Sequence, residues 1–169
     1  MAYCFNPVCP QPQNPSAARF CKTCGTALIL ENRYRLISLL GQGGFGRTFL
    51  GEPVGERPNH LGHVKKCVIK QINKSILTDA SGFQTEADRL RKLGEHPQIP
   101  RLFEAFENDW GQFLVQEFAP GKNLQQQVTS QGPWKEDDVR SLLTSLVAVL
   151  QYVHGFQIIH RDIKPENIV

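Results

Sequence analysis

The run Tyr34-Arg35-Leu36-Ile37-Ser38-Leu39-Leu40 predicts a strand that enters the glycine cluster Gly41–Gly46. Thr48-Phe49-Leu50-Gly51 predicts a second strand, so the two form a hairpin across a flexible turn. Residues 53–63 read as a loop. Lys66-Cys67-Val68-Ile69-Lys70-Gln71-Ile72, with its β-branched residues, predicts a third strand. Phe83, Ala87, Leu90 and Leu93 then recur at helical spacing, and Gly94 is placed to end that helix. Residues 102–107 and 112–118 read as two further strands joined across Asp109-Trp110-Gly111. A short helix over 123–129 precedes a long one. Glu136, Asp137 and Asp138 favour the long helix's first turn, and Gly155 suits its end. Val139, Leu142, Leu143, Leu146, Leu150 and Val153 make one apolar stripe along it. Five strands with one helix, followed mostly by helix, is an α+β order: a small sheet lobe joined to a helical lobe.

Composition narrows the class without changing this picture. The 169 residues fit one ordinary domain, or a small module plus part of a larger one. Apolar residues at 40% and charged ones at 21% suit a soluble globular protein. A net charge of +3 gives no electrostatic reason to expect nucleic acid or a membrane surface as partner. No apolar run reaches the roughly 20 residues of a membrane span, and no basic segment leads into an apolar one at the start. The expected location is the cytoplasm.

Residues 1–25 are rich in Pro, Asn and Cys and show no core-forming period. Four of the five cysteines fall in the first 24 residues, which in a chain with no visible export signal favours metal binding over disulfides. Cys4 and Cys9, then Cys21 and Cys24, supply two pairs of thiolates that can enclose a Zn²⁺ ion tetrahedrally. Cys21-x2-Cys24 followed by Gly25 is a knuckle-like turn. Disulfides or unpaired thiols are the alternatives. With four protein ligands the ion has no open position, so its expected work is to order a zinc-ribbon-like module over 1–28, as a surface for a partner or a redox-sensitive element. Cys67 reads as a small buried apolar residue. His60 and His63 with Cys67 lack a fourth ligand for a second site.

Gly41-Gln42-Gly43-Gly44-Phe45-Gly46 matches G-x-G-x-x-G, a pattern that glycine-rich turns also produce by themselves. A dinucleotide fold requires a helix directly after it, whereas both flanks here read as strand. Glycines let a hairpin backbone close over phosphates with its N–H groups facing their oxygens, and Phe45 at the tip can exclude water. Lys70 closes the strand-like run Cys67-Val68-Ile69-Lys70, and Glu86 lies on the helix that follows. Alone, each reads equally as a solvated surface charge. His160-Arg161-Asp162-Ile163-Lys164-Pro165-Glu166-Asn167 fits H-R-D-x-x-x-x-N, with Lys164-Pro165-Glu166 as its serine/threonine-type filling. In this order the motifs leave little room for coincidence.

Residues 34–169 resemble the first half of a bacterial eukaryotic-like serine/threonine protein kinase, and with the cysteine module ahead the chain is similar to the cyanobacterial four-cysteine kinases. The resemblance implies a protein-kinase-like sheet lobe over 34–116, a hinge over 117–121 and the start of a helical lobe over 122–169. It implies ATP, Mg²⁺ and structural Zn²⁺ as cofactors, protein Ser/Thr hydroxyls as substrate, and a signalling transferase as activity. Asp162 would orient the substrate hydroxyl and accept its proton, Lys164 would neutralise the γ-phosphate, and Asn167 would bind Mg²⁺. Lys70, paired with Glu86, would hold the α- and β-phosphates. Nucleotide contacts would run from Leu40 through Gly41, Gln42, Gly43, Gly44, Phe45, Gly46 and Arg47 to Thr48, with Val68 lining the adenine pocket. Glu117 and Ala119 would read the adenine edge through their main chains, with Gln116 as gatekeeper. Thr48 stands where valine is usual and Val68 where alanine is usual, and both bear on adenine affinity.

The family's D-F-G aspartate, activation loop and A-P-E segment are not among these 169 residues. The expectation is therefore a kinase by family whose 169 residues are inactive alone. The alternative is a catalytically dead fragment that binds nucleotide, or that works only through its zinc knuckle.

Overall fold

The computed structural model describes residues 1–44, 46–55, 65–73 and 80–169. Phe45, His60 and His63, and with them most of the expected 53–63 loop, lie outside the described residues. The chain divides into two compact units, Met1–Glu95 with Pro100–Phe118, and His96–Ile99 with Ala119–Val169.

In the first unit, β1 (Ala2–Tyr3) and β2 (Gln13–Asn14) pair antiparallel within the cysteine-rich segment. A six-stranded antiparallel sheet follows, in the order β3 (Ile29–Leu30), β4 (Tyr34–Gly43), β5 (Gly46–Pro53), β6 (Cys67–Ile72), β8 (Gly111–Glu117), β7 (Leu102–Asn108). The five expected strands are all present. The sixth, β3, has only two residues, too few for any period to announce it. β4 continues to Gly43 instead of stopping at Leu40, because Gly41, Gln42 and Gly43 pair with Thr48, Arg47 and Gly46. The glycines thus form the far end of the ladder as well as the turn.

Strand register sorts the side chains onto two faces. Phe49, Ile69 and Val115 are cross-strand partners on one face, with Phe113 two residues along, and all four are fully buried. Their cover includes the N-terminal segment. Phe5 meets Trp110 and Phe113 edge-on, at centroid distances of 6.0 and 6.3 Å, and Tyr3 lies 5.6 Å from Phe49. The cysteine module is therefore packed into the sheet unit rather than strung ahead of it.

On the opposite face, Thr48, Lys70 and Leu114 are cross-strand partners. Leu114 packs with Leu102 and with Phe83 and Ala87 of α1 (Ala80–Leu93), the helical stripe that the spacing predicts. Gly94 ends α1, its N–H donating to the Leu90 carbonyl at 3.0 Å. A Cβ there would come within 3.0 Å of the Arg101 Cα, so the turn also needs the missing side chain.

The second unit carries α2 (Leu124–Gln131) and α3 (Glu136–Gly155). Asn123 caps α2 reciprocally: its Oδ1 accepts from the Gln126 N–H at 2.9 Å, and its own N–H donates to Gln126 Oε1 at 3.1 Å. α3 opens on Glu136, Asp137 and Asp138, with Glu136 paired to Arg140 at 2.6 Å. On α3 only Val153 is buried, while Val139, Leu143 and Val147 are exposed. Among the described residues no helix is long and apolar enough to cross a membrane.

Candidate active site

The glycines of the hairpin are not equivalent. Gly46 has φ +136°, and a Cβ there would stand 2.1 Å from the Gln71 carbonyl oxygen, so the approach of β6 demands glycine. Around Gly41, Gly43 and Gly44 a Cβ would meet nothing within 4 Å, and their φ lies outside the left-handed region. The fold itself does not require glycine at these three positions. Their open backbone is what a ligand's phosphates can approach.

Thr48, Val68 and Lys70 share the sheet face on which α1 packs, so the register gathers three of the expected nucleotide residues. Gln116 is the cross-strand partner of Val68 on that face and is buried. Glu86 rides on α1 beside Ala87, half-exposed, with its carboxylate 3.8 Å from Arg89. Leu40 is exposed on β4. Glu117 ends β8; its N–H donates to the Arg101 carbonyl at 2.8 Å, and its carboxylate accepts from the Arg101 N–H at 3.3 Å. Ala119 opens the longer segment of the second unit.

Arg47 behaves differently from the nucleotide contact that the resemblance implies. It alternates with Thr48, so its side chain leaves the sheet on the other face, over the Phe49 ring at 5.2 Å. There its guanidinium donates to the main-chain carbonyls of Phe5 and Asn6 and to Gln71 Oε1. Any contact of Arg47 with a nucleotide on the Lys70 face is left to its main chain.

In the second unit, residues 160–168 fold into a tight loop. Arg161 takes φ +62°, and Pro165–Asn167 make one 3₁₀ turn that the Leu124 N–H anchors through the Ile168 carbonyl at 2.9 Å. The loop gathers the three predicted catalytic side chains around one carboxylate. Lys164 Nζ lies 3.1 Å from Asp162 Oδ1, and Asn167 Nδ2 donates to Asp162 Oδ2 at 2.9 Å and to the Asp162 carbonyl at 2.8 Å. The Asp162 N–H donates to His160 Nδ1 at 3.3 Å. The Lys164 ammonium, and after it the Asn167 amide, hold the Asp162 carboxyl below the usual carboxylate range. These contacts favour its ionised form. The nitrogen end of the Asn167 amide takes both bonds, which leaves its oxygen end for a cation.

The four N-terminal cysteines converge. Their sulfurs all lie within 4.8 Å of one another, with Cys4 to Cys24 at 3.6 Å and Cys9 to Cys21 at 3.7 Å. Sulfurs placed about 2.3 Å from one tetrahedral ion are separated by about 3.8 Å, whereas a disulfide needs about 2.05 Å. The cluster therefore fits a Zn²⁺ ion and not two disulfides. The Cys21–Cys24 knuckle is closed by the Gly25 N–H on the Cys21 carbonyl at 2.9 Å, with Gly25 at φ +72°. Sequence spacing did not point to two supporting groups. The buried Asn14 amide donates to Cys21 Sγ at 3.5 Å, and the Thr26 hydroxyl lies 3.2 Å from Cys24 Sγ. The Thr26 contact is the main reason that Cys24 is lowered to about 6, toward the thiolate a metal needs. Cys67 is fully buried on β6, and burial pushes its thiol up to about 12, as an inert apolar residue requires.

A family profile described as "Protein kinase domain" matches residues 34–169. Serine/threonine-protein kinase B of Synechocystis is 41% identical over 175 aligned residues, covering 100% of this chain and 30% of the relative. Serine/threonine-protein kinase PknA of Nostoc is 42% identical, over 83% of this chain and 25% of its own length. The chain thus spans a third or less of these relatives. Among solved structures, Rad53 residues 1–466 in complex with AMP-PNP superpose with TM-score 0.66 and 29% identity, over 80% of this chain and 34% of that one. The kinase domain of Mycobacterium tuberculosis PknI matches with TM-score 0.61 over 79% of this chain and 53% of its own; at 22% identity it speaks for the fold alone.

Proposed function

The chain belongs to the protein kinase family, and from that premise we propose that it supplies the nucleotide-holding and proton-accepting parts of a serine/threonine protein kinase. The observation that carries this reading is the Asp162 carboxylate, ionised and fixed between Lys164 and Asn167 within an H-R-D-x-x-x-x-N loop. In the proposed reaction a Ser or Thr hydroxyl oxygen bonds to the γ-phosphorus of ATP as the bond from that phosphorus to the β-phosphate oxygen breaks. The hydroxyl proton passes to Asp162, and ADP leaves. Lys164 neutralises charge on the transferred group. Lys70, with Glu86 on the adjoining helix, holds the α- and β-phosphates under the hairpin of Gly41, Gly43 and Gly44. Asn167 would help to hold Mg²⁺, whose chemistry is to neutralise phosphate charge. The AMP-PNP complex of Rad53 supports a nucleoside triphosphate as ligand.

The cysteine centre is proposed to hold one structural Zn²⁺ through Cys4, Cys9, Cys21 and Cys24, supported by sulfur spacings that fit a single tetrahedral ion.

A polypeptide of these 169 residues, which contain no D-F-G aspartate, is proposed to bind nucleotide without transferring phosphate. Titration with a fluorescent ATP analogue tests the first part, and Lys70→Met should weaken binding at least tenfold. Incubation with Mg²⁺-ATP and a generic basic protein tests the second; labelling that disappears in Asp162→Asn would overturn it. The competing reading, a zinc-knuckle interaction module on a kinase scaffold, is what a failed nucleotide titration would leave.

A further inference from the structure

The cysteine centre and the glycine hairpin are separate in sequence but meet at one side chain. Arg47 follows Gly46 directly, on the strand that closes the hairpin. Its guanidinium donates to the carbonyls of Phe5 and Asn6, which lie between the ligands Cys4 and Cys9. The same loop is shaped by the metal-ligand turn itself: the Cys9 N–H donates to the Asn6 carbonyl at 3.2 Å, and the Val8 N–H to Asn6 Oδ1 at 3.0 Å. A third bond, to Gln71 Oε1 at 2.5 Å, ties Arg47 to β6, and Gln71 in turn donates to the Trp110 carbonyl at 2.8 Å. These partners aim Arg47 and leave it little freedom.

The charges point the same way. Arg47 is half-buried, and among the described residues no carboxylate pairs with it; its acceptors, the Phe5 and Asn6 carbonyls and Gln71 Oε1, are neutral oxygens. Burial lowers its pKa. Four thiolates around one divalent ion carry a net charge of −2, so loading the centre places a compensating anion beside a desolvated cation.

We propose that Arg47 is a positioning residue that couples metal occupancy of the four-cysteine centre to the placement of the glycine-rich hairpin. The proposal rests on the metal reading above, and through the hairpin it makes nucleotide affinity depend on the metal. By linkage, any factor by which the metal tightens nucleotide is the factor by which nucleotide tightens metal.

The test is hydrogen exchange of the whole 169-residue chain, loaded with Zn²⁺ and after chelation, beside Arg47→Met and Arg47→Lys. Chelation should speed exchange of the amides from Leu39 to Leu50 about tenfold, while β7 and β8 change little. Arg47→Met should show the fast hairpin even when loaded, yet still take up one Co²⁺ with the spectrum of a tetrathiolate site. Arg47→Lys, which keeps the charge and loses the fork, should fall between. A loaded chain whose hairpin exchange ignores chelation overturns the coupling while leaving the metal reading intact. So does a chelation response that survives in Arg47→Met. Equal acceleration in β7 and β8 would show that the metal keeps the whole lobe folded, and would also overturn it. Failure to bind Co²⁺ at all removes the metal reading and the coupling together.

Discussion

Replacing Gly46 by alanine should separate the glycine that the fold requires from those proposed to face phosphate. The new Cβ would lie 2.1 Å from the Gln71 carbonyl oxygen and 3.1 Å from the Ile72 Cα, both main-chain atoms that cannot rotate away. To restore ordinary contact, β5 and β6 must part by about 1 Å where Gly46 pairs with Ile72 and Arg47 with Gln71. Holding alanine at φ +136° costs about 2 kcal/mol, and one weakened ladder hydrogen bond adds about 1 kcal/mol, so the loss should be about 3 kcal/mol. With a urea m-value near 2 kcal/mol/M, the unfolding midpoint falls by about 1.5 M. Gly44→Ala is the control. Its Cβ meets nothing within 4 Å, so stability should stay level or rise by about 0.5 kcal/mol while nucleotide binding weakens. The assay is urea unfolding followed by circular dichroism, with a fluorescent nucleotide titration on the same samples. A Gly46→Ala midpoint within about 0.3 M of wild type, or a Gly44→Ala loss as large as that of Gly46→Ala, would refute the distinction.

Four further outcomes are expected. Phe5→Ala removes a buried ring that meets Trp110 and Phe113, and should cost about 3–5 kcal/mol in the same urea assay; a loss below 1 kcal/mol would show that the module is not docked as described. Metal analysis of freshly purified reduced protein should give about one Zn²⁺ per chain, reduced to a trace by Cys21→Ser, and a metal-free wild type would refute the centre. After chelation, Cys24 should be the first thiol alkylated. Because its pKa is lowered to about 6, its rate should be near plateau at pH 7 and fall as pH drops through about 6, and Thr26→Val should move that midpoint upward; a midpoint near 9 would contradict the Thr26 contact. Finally, Lys164→Met should raise the Asp162 titration midpoint in carboxyl-carbon NMR toward the ordinary carboxylate value, and an unmoved midpoint would mean that Lys164 does not engage it.

Much of the fold was legible because its signals are periodic. Phe83, Ala87 and Leu93 of the expected stripe are the residues that α1 buries, and the pattern of 102–107 and 112–118 gave the β7–β8 hairpin within a residue at each end. The loop over 160–168 was legible as a candidate site because its contacts are local, with Asp162, Lys164 and Asn167 within six residues of one another. What escaped was long-range. The extension of β4 through Gly43 was hidden because glycine reads as turn whether or not it pairs across a ladder. Arg47 was expected at the nucleotide on motif proximity alone. Its main acceptors are carbonyl oxygens 41 and 42 residues away, and a carbonyl carries no residue identity for a sequence to display. The cysteine spacing singled out four sulfurs that converge, but not the place where the module docks.

That docking follows once the sheet is seen to have two working faces. Residues 113–115, Phe-Leu-Val, are apolar without alternation, the mark of a strand buried on both sides. α1 covers Leu114, so something else must cover Phe113 and Val115. Burying a side chain of this size contributes about 1.5–3 kcal/mol, so Phe49, Ile69, Phe113 and Val115 together account for about 6–12 kcal/mol. A domain's whole stability is about 5–15 kcal/mol, and even partial exposure of that row would consume a large share of it. A segment of some 28 residues has only a small core of its own, built from Ala2, Cys4, Cys21 and Leu28, and it presents Phe5 and Tyr3 to this row and fixes them with the Arg47 fork and with Arg35, which donates to the Ser16 and Ala18 carbonyls. The face that carries Thr48, Val68 and Lys70 is thereby left to α1 and to the proposed nucleotide, because the opposite face is covered by the cysteine module.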